Sequence, residues 1–248
     1  MKTRLRLLLI VPGGVDSSGR EAVIPALLAL IQRLAARHSV TVVALRQYPE
    51  FRRYRLLGAD VVNLGFRPGR PGILAALQRW RALTDALGAG PFDLVHAFWL
   101  DESSWLACRA GRRWRIPVIA SLGGGELMRL PEIGYGGSRA WVNRLVIRHT
   151  LRSASAVTGG SRKALAPVRD YRSDAGWIPL FPDRDFSLSA VQRKDGPPWR
   201  LLQVASINKI KDPFTLLRAM ALVVERHPDA VLDWVGADTL DGQAQRLA

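Results

Sequence analysis

Two glycine-rich loops carry the first chemical signal in this chain. Pro12-Gly13-Gly14 follows the unbroken apolar run Leu7 to Val11 and opens onto a helical pattern. Gly123-Gly124-Gly125 follows a second such run, Pro117 to Leu122, and leads into Glu126. Glycine has no side chain to hold a ligand off, so such loops let the backbone approach one closely. At the carboxyl ends of parallel strands they lie where open α/β sheets bind their ligands. A tight turn without a ligand is the competing reading of each loop. Glu126 could hydrogen-bond the hydroxyl groups of a substrate, or be an ordinary acid at a helix start. His96 stands on the strand-like stretch Asp93 to Ala97, a candidate for catalysis or for packing at a strand end.

The same residues exclude several chemistries. The first loop lacks the G-x-G-x-x-G spacing of dinucleotide folds, and the second strand ends in Leu45-Arg46, where an acid would take the ribose hydroxyls. There is no G-x-x-x-x-G-K-[ST] and no G-x-S-x-G, so P-loop and nucleophile-elbow chemistry are ruled out. Cys108 is the one cysteine, which removes disulfides and cysteine metal cages; a buried structural thiol is expected. No carboxylates stand at metal-binding spacing, so neither a metal nor a cofactor is expected.

The elements that must position these residues alternate strand and helix. Strands are expected at Leu7–Val11, Val40–Leu45, Ala59–Leu64, Asp93–Ala97, Pro117–Leu122 and Ala156–Gly159. Helices are expected over Ala22–Arg37, Ile73–Leu87, Glu102–Arg115, Ser138–Ser153 and Arg162–Val168. This succession predicts an α/β fold with a doubly wound parallel, Rossmann-like first domain over 1–178. Four prolines and a loss of periodicity mark 179–198 as a linker. A second β-α-β begins at Arg200, with Asp212 capping a helix Pro213–Arg226 and a strand at Val231–Val235. About 50 residues, 199–248, are too few for such a domain to bury a core of its own, so a partial second domain is expected.

Taken in order, these stretches resemble glycosyltransferase family 4, whose members have the GT-B fold of two Rossmann-like domains. The resemblance runs through Val11-Pro12-Gly13-Gly14, Phe92-Asp93-Leu94-Val95-His96-Ala97-Phe98, Pro117 to Glu126 and Ala154 to Ser161. It continues through Ile178-Pro179-Leu180-Phe181-Pro182-Asp183, then Leu202 to Asp212, then Leu232 to Gly236. It implies a sugar transferred, with retention, from a nucleotide-diphosphate-sugar to a glycan or lipid-linked acceptor, without a metal. His96 and Glu126 become catalytic candidates; Gly13, Gly14, Gly123, Gly124, Gly125 and Ser161 substrate-binding ones; Ser206 and Lys211 donor-diphosphate ones. Charge developing on the leaving diphosphate needs cations and N–H donors, and Lys211 lies at a helix N-terminus. Three departures accompany the resemblance. The family's histidine falls at Gly123, its diphosphate arginine falls at Ser206, and its E-x7-E element would lie beyond Ala248. The alternative is therefore a non-catalytic fragment or binding module that keeps the Rossmann-like domain.

Composition adds a partner class. The chain has 248 residues, net charge +15 and mean hydropathy +0.03, and lysine supplies only five of its 36 basic residues. Such charge suits an anionic partner or reflects an arginine-rich composition alone. No helix-turn-helix, zinc or RNA-recognition signature accompanies it, which argues against nucleic acid. Arg144, Arg148 and Arg152 repeat at helical spacing beside Trp141 and Leu145, the pattern either of peripheral contact with an anionic membrane or of an ordinary amphipathic surface helix in an arginine-rich protein. No apolar run approaches the length of a span or a cleaved leader, so a cytoplasmic location is expected, peripheral on the membrane face.

Overall fold

The computed structural model describes residues 4–65, 73–88, 90, 92–180 and 196–247. They form two compact units. The larger contains β1 (Arg6–Val11), α1 (Pro25–Ala35), β2 (Ser39–Ala44), β3 (Arg52–Leu56), β4 (Ala59–Asn63), α2 (Ile73–Leu87), β5 (Leu94–Phe98) and α3 (Glu102–Trp114). It continues with β6 (Val118–Leu122), α4 (Trp141–Ser153), β7 (Ala156–Gly159), α5 (Arg162–Leu165) and β8 (Gly176–Trp177). The smaller contains β9 (Arg200–Val204), α6 (Pro213–Arg226) and β10 (Val231–Val235).

The sheet of the larger unit runs β3-β4-β2-β1-β5-β6-β7-β8, parallel throughout except where β3 pairs antiparallel with β4. Its central strands are apolar on both faces because both faces must be covered. Leu8, Ile10, Val95, Ala97, Val118 and Ala120 pack with Leu83, Leu106, Cys108, Ile147 and Leu151, which places α2, α3 and α4 on one face. Leu7, Leu9, Val11, Val42 and Val61 pack with Leu27, Leu28 and Ile31 of α1 on the other. Beyond α1 that second face is left open by the described residues. Leu94, His96, Phe98, Ile119, Ser121 and Thr158 line a trough of about 390 Å³ there.

Several expected boundaries move, each for a local reason. The first helix begins at Pro25 and not at Ala22, because Ala22 has φ 45° and Val23 bridges Val15. α4 begins at Trp141 and not at Ser138, since Gly137–Arg139 is a 3-10 turn and Ala140 is extended. The expected helix Arg162–Val168 divides, with a 3-10 turn over Ala166–Asp170 carrying Pro167. β3 and the two-residue β8 were not expected at all. Leu57 and Gly58, both at positive φ, turn β3 back onto β4. Of the expected linker 179–198, residues 181–195 lie outside the described residues, among them Phe181, Pro182 and Asp183 of the fifth motif.

In the smaller unit β9 and β10 are parallel, Leu202 opposite Asp233 and Val204 opposite Val235. Asp212 caps α6 by accepting from Thr215 N–H at 3.2 Å, with Pro213 in the first position, as the sequence predicts. Ile207, Leu240 and Ala244 form its small core with Phe214, Leu217 and Trp234. After Leu240 the chain makes consecutive turns.

Candidate functional site

The topology gathers one set of loops. β1, β5, β6 and β7 are neighbours in one parallel sheet, so Pro12–Gly14, Trp99–Asp101, Gly123–Glu126 and Gly160–Ser161 share its carboxyl edge. His96 does not reach that edge. It is the middle residue of β5, opposite Leu9 on one side and Ile119 on the other, and its ring faces the trough.

The first glycine loop is braced from β2. Gln47 Oε1 accepts from Gly14 N–H at 2.7 Å and from Val15 N–H at 3.0 Å. Gln47 is itself held by Asn63, whose fully buried amide oxygen accepts from Gln47 N–H at 2.9 Å. Gly14 has φ 81°, and a Cβ there would meet Ile24 Cδ1 at 2.5 Å. The loop is thus a tight turn with the N–H groups of Gly14 and Val15 already engaged, and what it offers a ligand is close approach. Gln47 and Asn63 were not among the residues singled out by sequence; a polar residue just beyond a strand otherwise apolar was the available signal.

The second loop is organised by Glu126. Its carboxylate is buried, accepting from Gly123 N–H at 2.7 Å and Gly124 N–H at 2.8 Å. Both oxygens therefore brace the loop. Gly125 O accepts from Met128 N–H and from Gly137 N–H, which folds the following segment back onto the loop. Gly124 and Gly125 have φ of 119° and 82°, the left-handed region that favours glycine. Gly123 lies under the indole of Trp99, where a Cβ would come within 2.2 Å of Nε1. Trp99 itself has φ 70°, uncommon for a bulky residue.

Asp101 closes this edge beside Trp99. It caps α3 by accepting from Ser103 N–H at 2.8 Å and lies 3.9 Å from Arg46, the residue that ends the second strand stretch. Burial raises its carboxyl above the usual range, with the Ser103 hydrogen bonds and the Arg46 charge pulling the other way. Ser161 caps α5 through Ala164 N–H at 3.0 Å, so its hydroxyl is also used within the fold.

His96 belongs to a separate chain of polar groups. Its Nε2 is 2.7 Å from Ser121 Oγ, which is 2.6 Å from Thr158 Oγ1. Burial pushes the imidazole down to about 4, so it is neutral at physiological pH. Strand alternation thus turns His96 onto the sheet face that lines the trough, where it is hydrogen-bonded within the fold. In the smaller unit Ser206 is exposed just after β9, and Lys211 is exposed just before the Asp212 cap of α6. Among the described residues no cluster of His, Cys, Asp or Glu could hold a metal ion.

Residues 22–182 match the model of the glycosyl transferase 4-like domain. The chain belongs to that family. This glycosyl transferase 4-like chain also resembles solved structures across nearly its whole length. Sucrose-phosphate synthase from Thermosynechococcus elongatus superposes with a TM-score of 0.64 at 16% identity, over 98% of this chain and 66% of that one. A putative UDP-N-acetylglucosamine 2-epimerase from Listeria monocytogenes gives 0.58 at 12% identity, over 99% and 65%. CalG4, the calicheamicin glycosyltransferase, gives 0.53 at 18% identity, over 95% and 66%. No curated protein sequence matches the chain. The glycosyl transferase 4-like chain thus has the GT-B fold and spans about two thirds of the length of these structures. An epimerase and transferases share the fold, so the fold alone does not choose the reaction.

Proposed function

We propose that this chain serves the transfer of a sugar from a nucleotide-diphosphate-sugar to a hydroxyl acceptor, with retention of configuration, in glycan or glycolipid synthesis at the cytoplasmic side. The observation that carries the reading is the Gly123–Gly125 loop. It is locked by Glu126 at the carboxyl edge of the sheet, in a chain of the glycosyl transferase 4-like family. A glycine floor next to the Trp99 indole fits a hydroxylated ring, which needs close backbone approach and one flat apolar wall. The donor role falls to the smaller unit. Lys211 places a cation at the start of α6, whose N-terminus favours an anion. The Asp212 carboxylate at the same terminus offsets part of that field, so Lys211 carries most of the attraction.

The reading is tested by calorimetric titration with uridine- and guanosine-diphosphate sugars. At least one should bind, and Lys211→Ala should weaken it by roughly tenfold, the scale of one exposed charge-assisted contact. Binding that is unchanged in Lys211→Ala would remove that residue from the donor site. Absence of binding across the panel would remove the donor reading for this chain.

A further inference from the structure

The segment between β6 and β7 carries several exposed apolar side chains among the described residues. α4 is packed only by its second half, where Ile147, Thr150 and Leu151 are buried. Its first turns are exposed: Trp141 at 63%, Val142 at 36% and Leu145 at 56%. The preceding loop adds Met128 at 44% and Leu130 at 36%. Ser138 N–H donates to Met128 O, so this loop returns to the start of α4 and carries its exposed apolar residues close to that end of the helix. Helical spacing puts Trp141, Val142 and Leu145 opposite the buried stripe, with Arg144, Arg148 and Arg152 along their flank.

Charge distinguishes this patch from a bare apolar face. Residues 127–153 contain five arginines, at 129, 139, 144, 148 and 152, against the single carboxylate of Glu132. Arg129, Arg144, Arg148 and Arg152 form no ion pair among the described residues. Arg129 and Arg139 also line an open depression of about 430 Å³ floored by Gly136, Gly137 and Ala140. Side chains that insert, ringed by cations that stay in water, match a surface that is oily within and negative at its boundary.

We infer that the Met128–Leu145 patch is a docking surface for a bilayer carrying anionic phospholipids. Trp141, Leu145, Val142, Met128 and Leu130 enter the headgroup–acyl boundary. The arginines meet lipid phosphates, with Arg129 and Arg139 flanking a depression of headgroup size. No helix among the described residues is long and apolar enough to cross a membrane, so the contact is one of surface docking. The inference does not depend on the transfer reaction.

Co-sedimentation with vesicles tests it, using the whole chain. Vesicles of phosphatidylcholine with one third phosphatidylglycerol should pellet the protein at low salt, and vesicles of phosphatidylcholine alone should not. Arg144→Gln/Arg148→Gln/Arg152→Gln should lower the partition coefficient roughly a hundredfold, from the usual contribution per basic residue near an anionic surface. Trp141→Ser/Leu145→Ser should lower it about tenfold or more without changing the circular dichroism spectrum. Arg37→Gln/Arg112→Gln/Arg113→Gln removes equal charge from exposed positions elsewhere and should bind nearly as wild type. Loss of binding in that control equal to the loss in the patch variant would overturn the inference in favour of charge alone. No binding of the wild type to anionic vesicles would also overturn it. So would a dimer in sedimentation analysis that Trp141→Ser/Leu145→Ser converts to monomer while vesicle binding stays unchanged, since the patch would then join two copies of the chain.

Discussion

Replacing Glu126 with glutamine tests the claim that one carboxylate organises the ligand edge. The two oxygens accept from Gly123 N–H at 2.7 Å and Gly124 N–H at 2.8 Å, and the side chain is only 6% exposed. Hydrogen bonds to a charged group contribute about 1.5–3 kcal/mol each. Glu126→Gln keeps the shape but gives one of the two N–H groups a donor to face. One bond survives in weaker, uncharged form and one becomes a buried repulsion, for a loss of about 3 kcal/mol. For a unit of this size each kcal/mol moves the melting midpoint by roughly 2–4 °C, so a fall of about 6–12 °C is expected. Urea unfolding gives the free energy, and amide hydrogen exchange should show Gly123 and Gly124 losing protection before the core does. Glu132→Gln, on an exposed position of the same segment, is the control and should stay within about 0.5 kcal/mol of wild type. A Glu126→Gln protein as stable as that control, with both amides still protected, would refute the reasoning.

Other outcomes follow from single residues. Burial holds His96 near 4 in the folded protein, while the unfolded chain titrates at about 6.5, so only the unfolded chain takes up the proton between those values. Stability should therefore fall by up to about 3 kcal/mol as pH drops through that window, and level off below it. His96→Gln should flatten the slope; equal slopes in urea titrations of the two proteins would contradict the assignment. Gly14→Ala should cost about 2 kcal/mol or more, because it combines φ 81° with a 2.5 Å approach to Ile24, and chemical denaturation measures it. Burial pushes the Cys108 thiol up to about 11, so a disulfide reagent at neutral pH should label it at the rate of unfolding and no faster.

Much of the larger unit could be read from the chain because its signal is local. Leu7–Val11 and Pro117–Leu122 are unbroken apolar runs, and only a sheet covered on both faces requires that. β3 escaped because its inward residues, Tyr54 and Leu56, alternate with arginines that read as loop. At a sheet edge the same arginines are what discourages pairing with another chain. The site was legible in its loops and not in their wiring. Gly13, Gly14 and Gly123–Gly125 lie at the carboxyl edge as their positions after strands imply. The partners of their N–H groups, Gln47 and Glu126, are 33 and three residues away, and only one of these was within reach of pattern. The surroundings of His96 were not legible for a geometric reason. A period of two sends alternate residues of β5 to opposite faces, and nothing in the local sequence tells which face a helix will cover. The hydroxyls that receive it, on Ser121 and Thr158, come from two later strands.

The packing of Trp99 over Gly123 constrains how this edge could change. A side chain at 123 and an indole at 99 compete for one volume, with 2.2 Å separating the would-be Cβ from Nε1. Gly123→His alone therefore meets a blocked path, while shrinking Trp99 alone leaves a gap beside a bare glycine. A side chain at 123 and a smaller residue at 99 should therefore be tolerated better together than singly.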